Sequence, residues 1–380
     1  MTENINLIVG AGISGSTLAR KIADEAGEKV LLIDIKNHIG GNCFDYKDKN
    51  GITIHKYGSH IFHTNNQEVW SFLNQFTSFN TYMHKVYALI DGIKTTIPFN
   101  LNSLYDIFPK SMAYKFEKKL LNNFEYNSKI PILELKNTKD KDLNFLANFI
   151  YEKVFVNYTI KQWGVTPENI DPYVTSRVPV FISKDNRYFQ DKYQGIPIDG
   201  YTKMIENIIN HPNIETLLST SYKDLKNISF KRIFYTGSID EFFDYKLGKL
   251  PYRSVSFKIE ESNLQYYQNN SVINYPNNYD FTRIHEYKYF LNEKSNKTII
   301  AKEFSTDFQI GVNERYYPIL RSENIEIYNE YKKIAKTYPN LYFLGRLGDY
   351  KYYDMDKSVS RAFEQFENIF AKVYTSNKEE

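Results

Sequence analysis

Apolar and polar positions change period several times along the chain, and each change marks an element. Ile5 to Val9 is a short apolar run, "GAGISG" interrupts it, an amphipathic stretch continues to Ala26, and Val30 to Ile33 is apolar again. That order predicts strand, glycine turn, helix, strand, a βαβ unit of right-handed crossover length. From Asn66 to Phe79, Val69, Trp70, Phe72, Leu73 and Phe76 recur at helical spacing. The stretch "YMHKVYALIDGIKTTIPF" reads as a hairpin turning at Asp91-Gly92 with type I′ geometry. Residues 101–128 and 141–161 read as helices punctuated by Pro109 and Pro131, and 201–210 as one more. "FKRIFYTGSID" (230–240) reads as a buried strand ending in a glycine turn. Alternation then dominates in "YRSVSFKIE", "SVINYP", "FTRIHEYKYF" and "TIIAKEFS", which predicts an antiparallel sheet. The last structured stretch, from Leu341, reads as strand, glycine loop and helix. Asp354 or Asp356 stands at its N-cap and Val359, Phe363, Phe366 and Phe370 form its apolar stripe.

The fold class this predicts is α/β: a Rossmann-like dinucleotide-binding domain, an inserted helical domain and an antiparallel β-sheet domain. The first is assembled from 1–66, 225–250 and 335–375. The mainly helical part covers 67–80 and 100–180, and the sheet domain 81–99, 181–200 and 251–320. In the opening turn Gly10 permits the sharp reversal, Gly12 lets a pyrophosphate approach the backbone, and Gly15 lets helix and strand pack closely, with Ser14 between them. Asp34 ends the second strand where a carboxylate can accept from ribose hydroxyls. These residues leave NAD and FAD both open. Gly40, Gly41 and Asn42, followed by a long diversion instead of the next βα unit, favour FAD, whose isoalloxazine end needs a wall from elsewhere in the chain.

Charge changes the picture by exclusion. Lys and Arg number 48 against 45 Asp and Glu, a net +3 that is too balanced for a nucleic-acid-binding face. Cys43 is the single cysteine, which excludes an internal disulfide and any cysteine-based metal site, and fits a reducing cytoplasm. The first residues are acidic and the apolar run after them is broken by glycines, so neither a signal peptide nor a membrane insertion is expected. Tyrosine, at 33 residues, suits ring-shaped phosphorylated ligands, although most of that count belongs to a chain-wide Asn/Lys/Tyr/Ile/Phe bias.

"YGSHIFHT" (57–64) sets two histidines three residues apart, as a metal pair, an acid/base pair or part of a core. The stretch alone leaves the three open. Together with "GGN", "IPFN", "NYTIKQWG" (157–164), "DNRYFQDKYQGIPIDGYTKMI" (185–205), "FTRIHEYK" (281–288) and "GRLGDYKYYDMD" (345–356), it resembles the bacterial UDP-galactopyranose mutases almost from end to end. The resemblance implies an isomerase that interconverts UDP-galactopyranose and UDP-galactofuranose on reduced FAD, through a flavin N5–sugar adduct, with NADPH or another reductase supplying electrons. It also implies an FAD domain with a helical insertion and a six-stranded antiparallel sheet, and a cytoplasmic homodimer. Carried over residue by residue, it implies that Tyr158 and Trp163 hold the uridine, and that Arg177, Arg283, Tyr317 and Tyr352 hold the diphosphate. Tyr188 then lies near the uridine or sugar, and Arg177 sits on a mobile loop. His60 lies beside the flavin, with Arg346, Asp354, Met355 and Asp356 completing the FAD site. His60, Arg177 and Arg283 are the catalytic candidates, and His63 is left open between a structural and a functional role. No metal is required, and Cys43 is expected to be small and unreactive.

Three positions depart from the family: Ser59 where proline is frequent, His84 where asparagine is common, and Phe181 in place of a frequent arginine. They put the sugar in question, and UDP-N-acetylgalactosamine is the alternative substrate. An FAD-dependent amine oxidase shares the first βαβ unit but expects an apolar pocket. A non-catalytic UDP-sugar or FAD-binding module is the remaining reading.

Overall fold

The computed structural model describes residues 4–169, 179–225 and 227–371. Five parallel strands run in the order Ile214–Leu217, Val30–Ile33, Asn6–Val9, Arg232–Tyr235, Leu341–Phe343. The helix Ile13–Glu25 crosses between the strands Asn6–Val9 and Val30–Ile33, as the alternation of periods predicts. Leu18, Ala19 and Ile22 from it meet Ala362, Phe366 and Phe370 from the C-terminal helical segment in one apolar cluster over Ile8, Leu32 and Phe234. Burying such side chains is what fixes the helix on the sheet, at roughly 1.5–3 kcal/mol for each large apolar residue.

A second sheet stands beside it, with seven strands in the order Tyr317–Pro318, Tyr252–Ser262, Thr298–Asp307, Arg283–Glu286, Val272–Asn274, Val86–Ile90, Ile93–Ile97. It departs from the six antiparallel strands expected. The hairpin 86–97 turns at Asp91 and Gly92, both with positive φ as a type I′ turn requires. Its first strand joins Val272–Asn274 in parallel, so the sheet is mixed at that junction.

Residues 181–200 add no strand to this sheet, which corrects their assignment to it. Val180–Phe181 pairs with Lys129–Ile130, and Tyr193–Gly195 pairs with Phe62–Thr64. The helical insertion comprises Leu101–Ile107 and Lys110–Asn123 on either side of Pro109, then Lys141–Ile150, a wider turn over Tyr151–Val156, and Asn157–Trp163. Asp354 does stand at the N-cap of Met355–Phe366, but its side chain makes no capping bond to that helix. Among the described residues no helix is long and apolar enough to cross a membrane.

The helix Tyr201–Ile209 starts at Gly200, which has no side chain to cap it. Asp45, far away in sequence, does so: its carboxylate accepts from Tyr201 N at 2.6 Å and Thr202 N at 2.9 Å. Gly200 has a φ of +87°, and a Cβ there would lie 2.9 Å from Asp45 Oδ2. Asp45→Ala is therefore expected to lower stability by about 1–2 kcal/mol. Urea unfolding measures it, and an unchanged midpoint would show that the cap contributes nothing.

Candidate functional site

The glycine turn is a cradle that side chains would fill. A Cβ on Gly15 would stand 2.0 Å from Gly10 O, and one on Gly41 would stand 3.0 Å from Gly12 Cα. The second glycine pair is laid directly against the first, because Gly40 bridges Gly12 and Gly40 N donates to Ala11 O at 2.8 Å. Ser14 is buried between this turn and Gly345. Asp34 takes Ala11 N on Oδ2 at 2.8 Å and Lys36 N on Oδ1 at 2.9 Å. A carboxylate has about four acceptor positions, so two remain for ribose hydroxyls. The open backbone at Gly12, the helix N-terminus behind it and the spare acceptors at Asp34 fit a dinucleotide.

From Asn42 the site opens into a cleft of ≈ 280 Å³ between the seven-stranded sheet, the helix Asn157–Trp163 and the segment that carries Arg346, Tyr352, Asp354 and Met355. That helix is held at its C-terminal end: Arg253 Nε and Ser305 Oγ donate to Gln162 O at 2.9 and 2.7 Å, and Gly164 closes it with φ 72°. Lys161 Nζ donates to the carbonyls of Tyr275, Tyr279 and Phe281, tying the same helix to the end of the mixed sheet. So anchored, the helix presents Tyr158 and Trp163 to the cleft. Trp163 lies 5.7 Å from Tyr317 and 6.3 Å from Tyr352, and these two tyrosines stack at 5.0 Å. Arg346 lies over both tyrosines. Its nitrogens donate to the backbone carbonyls of Tyr353 and Tyr316, so it fastens the two tyrosine-bearing segments as well as lining the cleft.

The charge in the cleft is concentrated on neighbouring strands. Arg283 Nε donates to Glu303 Oε1 at 2.9 Å, its directly paired residue across the ladder. Among the described residues no hydrogen bond engages its terminal nitrogens. Tyr158 lies 6.0 Å from the guanidinium carbon. Burial pushes the Glu303 carboxyl up, but Arg283 and His285 outweigh it and hold it at about 2. Glu303 is thus an anion throughout the neutral range.

The histidines go to different partners. His60 Nδ1 lies 2.6 Å from Gly58 O, which can only accept, so Nδ1 carries the hydrogen. Burial holds His60 down at about 3, so the ring is neutral and its Nε2 is an acceptor. His63 stacks on Phe189 with Nδ1 3.1 Å from Asp191 Oδ2, an arrangement that accounts for it by packing. His84 is buried, meets Tyr82 Oη at 3.2 Å through Nδ1, and is held at about 3 by burial. Both histidines of "HIFHT" line the cleft, but each is held by a different partner, Gly58 for His60 and Asp191 for His63.

Of the residues singled out from sequence, Asn42, His60, Tyr158, Trp163, Tyr188, Arg283, Tyr317, Arg346, Tyr352, Asp354 and Met355 meet in this cleft. Gly10, Gly12, Ser14, Gly15, Asp34 and Gly41 lie at the glycine-turn end. Asp356 accepts from Thr64 Oγ1 at 3.2 Å, bracing the C-terminal helix instead of lining the cleft. Arg177 lies outside the described residues. Ser59 and His84 line the cleft; Phe181 is 3% exposed, paired with Lys129 and away from it, so its replacement of arginine bears on packing. Cys43 is buried and its thiol is pushed up to about 12, which makes it inert. Sequence reasoning missed His285 and Glu303. The signal for His285 was parity, since it stands two residues from Arg283 on a strand and shares its face.

The family described as UDP-galactopyranose mutase matches residues 153–352, and that described as NAD(P)-binding Rossmann-like domain matches residues 8–76. A dTDP-fucopyranose mutase of Escherichia coli is 36% identical over 98% of this chain and 99% of its own length. A probable UDP-galactopyranose mutase of Klebsiella pneumoniae is 35% identical over 98% of this chain and 96% of its own. Among solved structures, a reduced UDP-galactopyranose mutase superposes with a TM-score of 0.74 at 15% identity, covering 98% of this chain and 94% of that one. At that identity the superposition establishes the fold.

Proposed function

The chain belongs to the UDP-galactopyranose mutase family, and we propose that it interconverts UDP-galactopyranose and UDP-galactofuranose with FAD bound from the glycine turn to the cleft. When bound and reduced, the flavin supplies the nucleophile for the sugar's anomeric carbon. The protein's own part is to bind and orient. Tyr158 and Trp163 offer aromatic faces for the uracil. Arg283, Tyr317 and Tyr352 present a guanidinium and phenolic hydroxyls to the diphosphate. His60, with Nδ1–H committed to Gly58, offers Nε2 to a donor on the cofactor or the sugar. Asn42, Asp354 and Met355 line the cofactor end. The single observation that carries this reading is Arg283, which lines a cleft walled by Tyr158, Trp163, Tyr317 and Tyr352. A soluble cytoplasmic homodimer, reduced by NADPH or another reductase, is part of the same proposal.

A second reading follows from the Escherichia coli relative, which acts on a dTDP-fucose and is as similar as the galactose enzymes. Anaerobic incubation of the dithionite-reduced protein with UDP-galactofuranose, and separately with dTDP-fucofuranose and UDP-N-acetylgalactosamine, separates the sugars by chromatography of the products. Conversion of UDP-galactofuranose only under reduction is the expected result. Conversion of dTDP-fucofuranose alone would move the assignment to the second reading, and conversion of none would refute the mutase proposal.

A further inference from the structure

Three side chains in the cleft form a hydrogen-bonded chain that substrate binding leaves unused. Ser59 Oγ lies 2.6 Å from His285 Nδ1, and His285 Nε2 lies 3.1 Å from Glu303 Oε2. All three line the cleft. His285 and Glu303 are 2% and 5% exposed, whereas Ser59 sits at the surface of the cleft beside His60.

The hydrogens in this chain follow from its far end. Glu303 is an anion and can only accept, with Oε1 already taking Arg283 Nε at 2.9 Å and Thr282 Oγ1 at 2.8 Å. His285 Nε2 must therefore donate to Oε2. Burial lowers the imidazole's proton affinity despite the Glu303 bond, so the ring is neutral. Nδ1 is then a bare acceptor, and Ser59 must donate its hydroxyl hydrogen to it. The Ser59 oxygen is left with lone pairs toward the cleft and no hydrogen to give. It is suited to a donor on the ligand, such as a sugar hydroxyl.

Given the mutase reading, on which this rests, we propose that Ser59, His285 and Glu303 are a proton relay that takes the proton from the sugar hydroxyl that closes the new ring and returns one to the ring oxygen that opens. The sugar O–H bond breaks and its proton binds Ser59 Oγ. The Ser59 proton passes to the Nδ1 lone pair of His285. The electron pair stays on the sugar oxygen as the attacking nucleophile, and the positive charge rests on the imidazolium against Glu303. At rest Arg283, Glu303 and neutral His285 sum to no net charge, so the protonated relay carries one positive charge beside a diphosphate that favours it. As the bond between C1 and the ring oxygen breaks, its electron pair goes to that oxygen, which takes a proton from Ser59 Oγ while His285 Nδ1 returns its own to Ser59. The relay is thus neutral again before the deprotonated hydroxyl closes on C1, and no net proton is gained or lost. In the reverse direction the two sugar oxygens exchange roles. Ser59 touches the substrate; His285 and Glu303 act through it.

The test uses the reduced FAD holoenzyme with UDP-galactopyranose carrying ¹⁸O in the bond between C1 and the β-phosphate. Scrambling of the label reports breakage of that bond, which needs no ring closure, while chromatography reports the ring change. Ser59→Ala should lower kcat for interconversion about 100-fold, in the range of a lost general base, with KM within about threefold and label scrambling retained. Ser59→Thr, which restores the hydroxyl, should recover kcat to within about tenfold of the parent. His285→Gln should behave as Ser59→Ala, and flavin content with UDP binding confirms that each variant is folded. Ser59→Ala with kcat unchanged, or with scrambling lost in step with turnover, overturns the relay while the parent's activity upholds the mutase reading. No turnover by the reduced parent overturns both.

Discussion

Arg283→Ala is expected to lower kcat/KM by about 10³-fold, and Arg283→Lys to recover less than a tenth of that loss. Two effects combine. The first is loss of the guanidinium facing the diphosphate, whose charge-assisted bonds are among the strongest available to a protein. The second is Glu303, which is 5% exposed and loses the cation that is the largest influence holding it ionised. An unpaired buried carboxylate costs about 3–5 kcal/mol or takes up a proton. A protonated Glu303 no longer anchors His285 or the strand pairing through Arg283, so the damage extends beyond phosphate binding. Lysine restores a charge but neither the fork nor the Nε contact. Steady-state kinetics on the reduced enzyme, with flavin content as a control, measures the effect. A variant within about tenfold of the parent would remove Arg283 from the centre of the site.

How much of this could be read beforehand depended on whether the signal was local. The glycine turn, Asp34, the Asp91-Gly92 hairpin and the helix face through Val69 and Leu73 are specified within a few residues, and each appears where its pattern puts it. The strand Ile214–Leu217 was missed because it lies at the sheet edge with every second residue exposed, a pattern too weak to signal over four residues. Residues 181–200 alternate enough to suggest strands, but alternation does not name the partner, and these strands pair with 129–130 and 62–64 instead. The site shows the same division. Arg283, Tyr158 and Trp163 stand in long motifs, and all three line the cleft. Glu303 opposes Arg283 only through the register of two strands, which a sequence does not display. Ser59 reaches His285 across 226 positions, so the relay existed only once the loop 57–61 was folded over the sheet.

Acid should unfold this protein in two stages, the first governed by its buried histidines. His55 and His84, 1% and 4% exposed, are both held at about 3 chiefly by burial, against 6.5 for the free ring. His60 is held at about 3 by burial and by His55 and Arg346. In each case the unfolded chain binds a proton below pH 6.5 that the folded chain refuses until about pH 3. Stability is therefore full above 6.5 and falls as the pH drops through that window. The slope is about 1.4 kcal/mol per pH unit for each histidine, so His55 and His84 alone remove about 4 kcal/mol by pH 5. That is a large part of the 5–15 kcal/mol typical of a folded domain, roughly. Asp45 and Asp349 work in the opposite sense, since burial raises their carboxyls and folding then favours the protonated form near pH 4. Glu303, held at about 2, adds a loss below the usual carboxylate value of 4.5, in the second stage. Denaturant midpoints at pH 7, 6 and 5 give the slope for the parent. His84→Asn keeps a polar side chain but cannot titrate, so its slope should be shallower by one proton. Equal slopes in parent and variant would mean that His84 does not resist protonation in the folded state, and the histidine account of acid unfolding would be wrong.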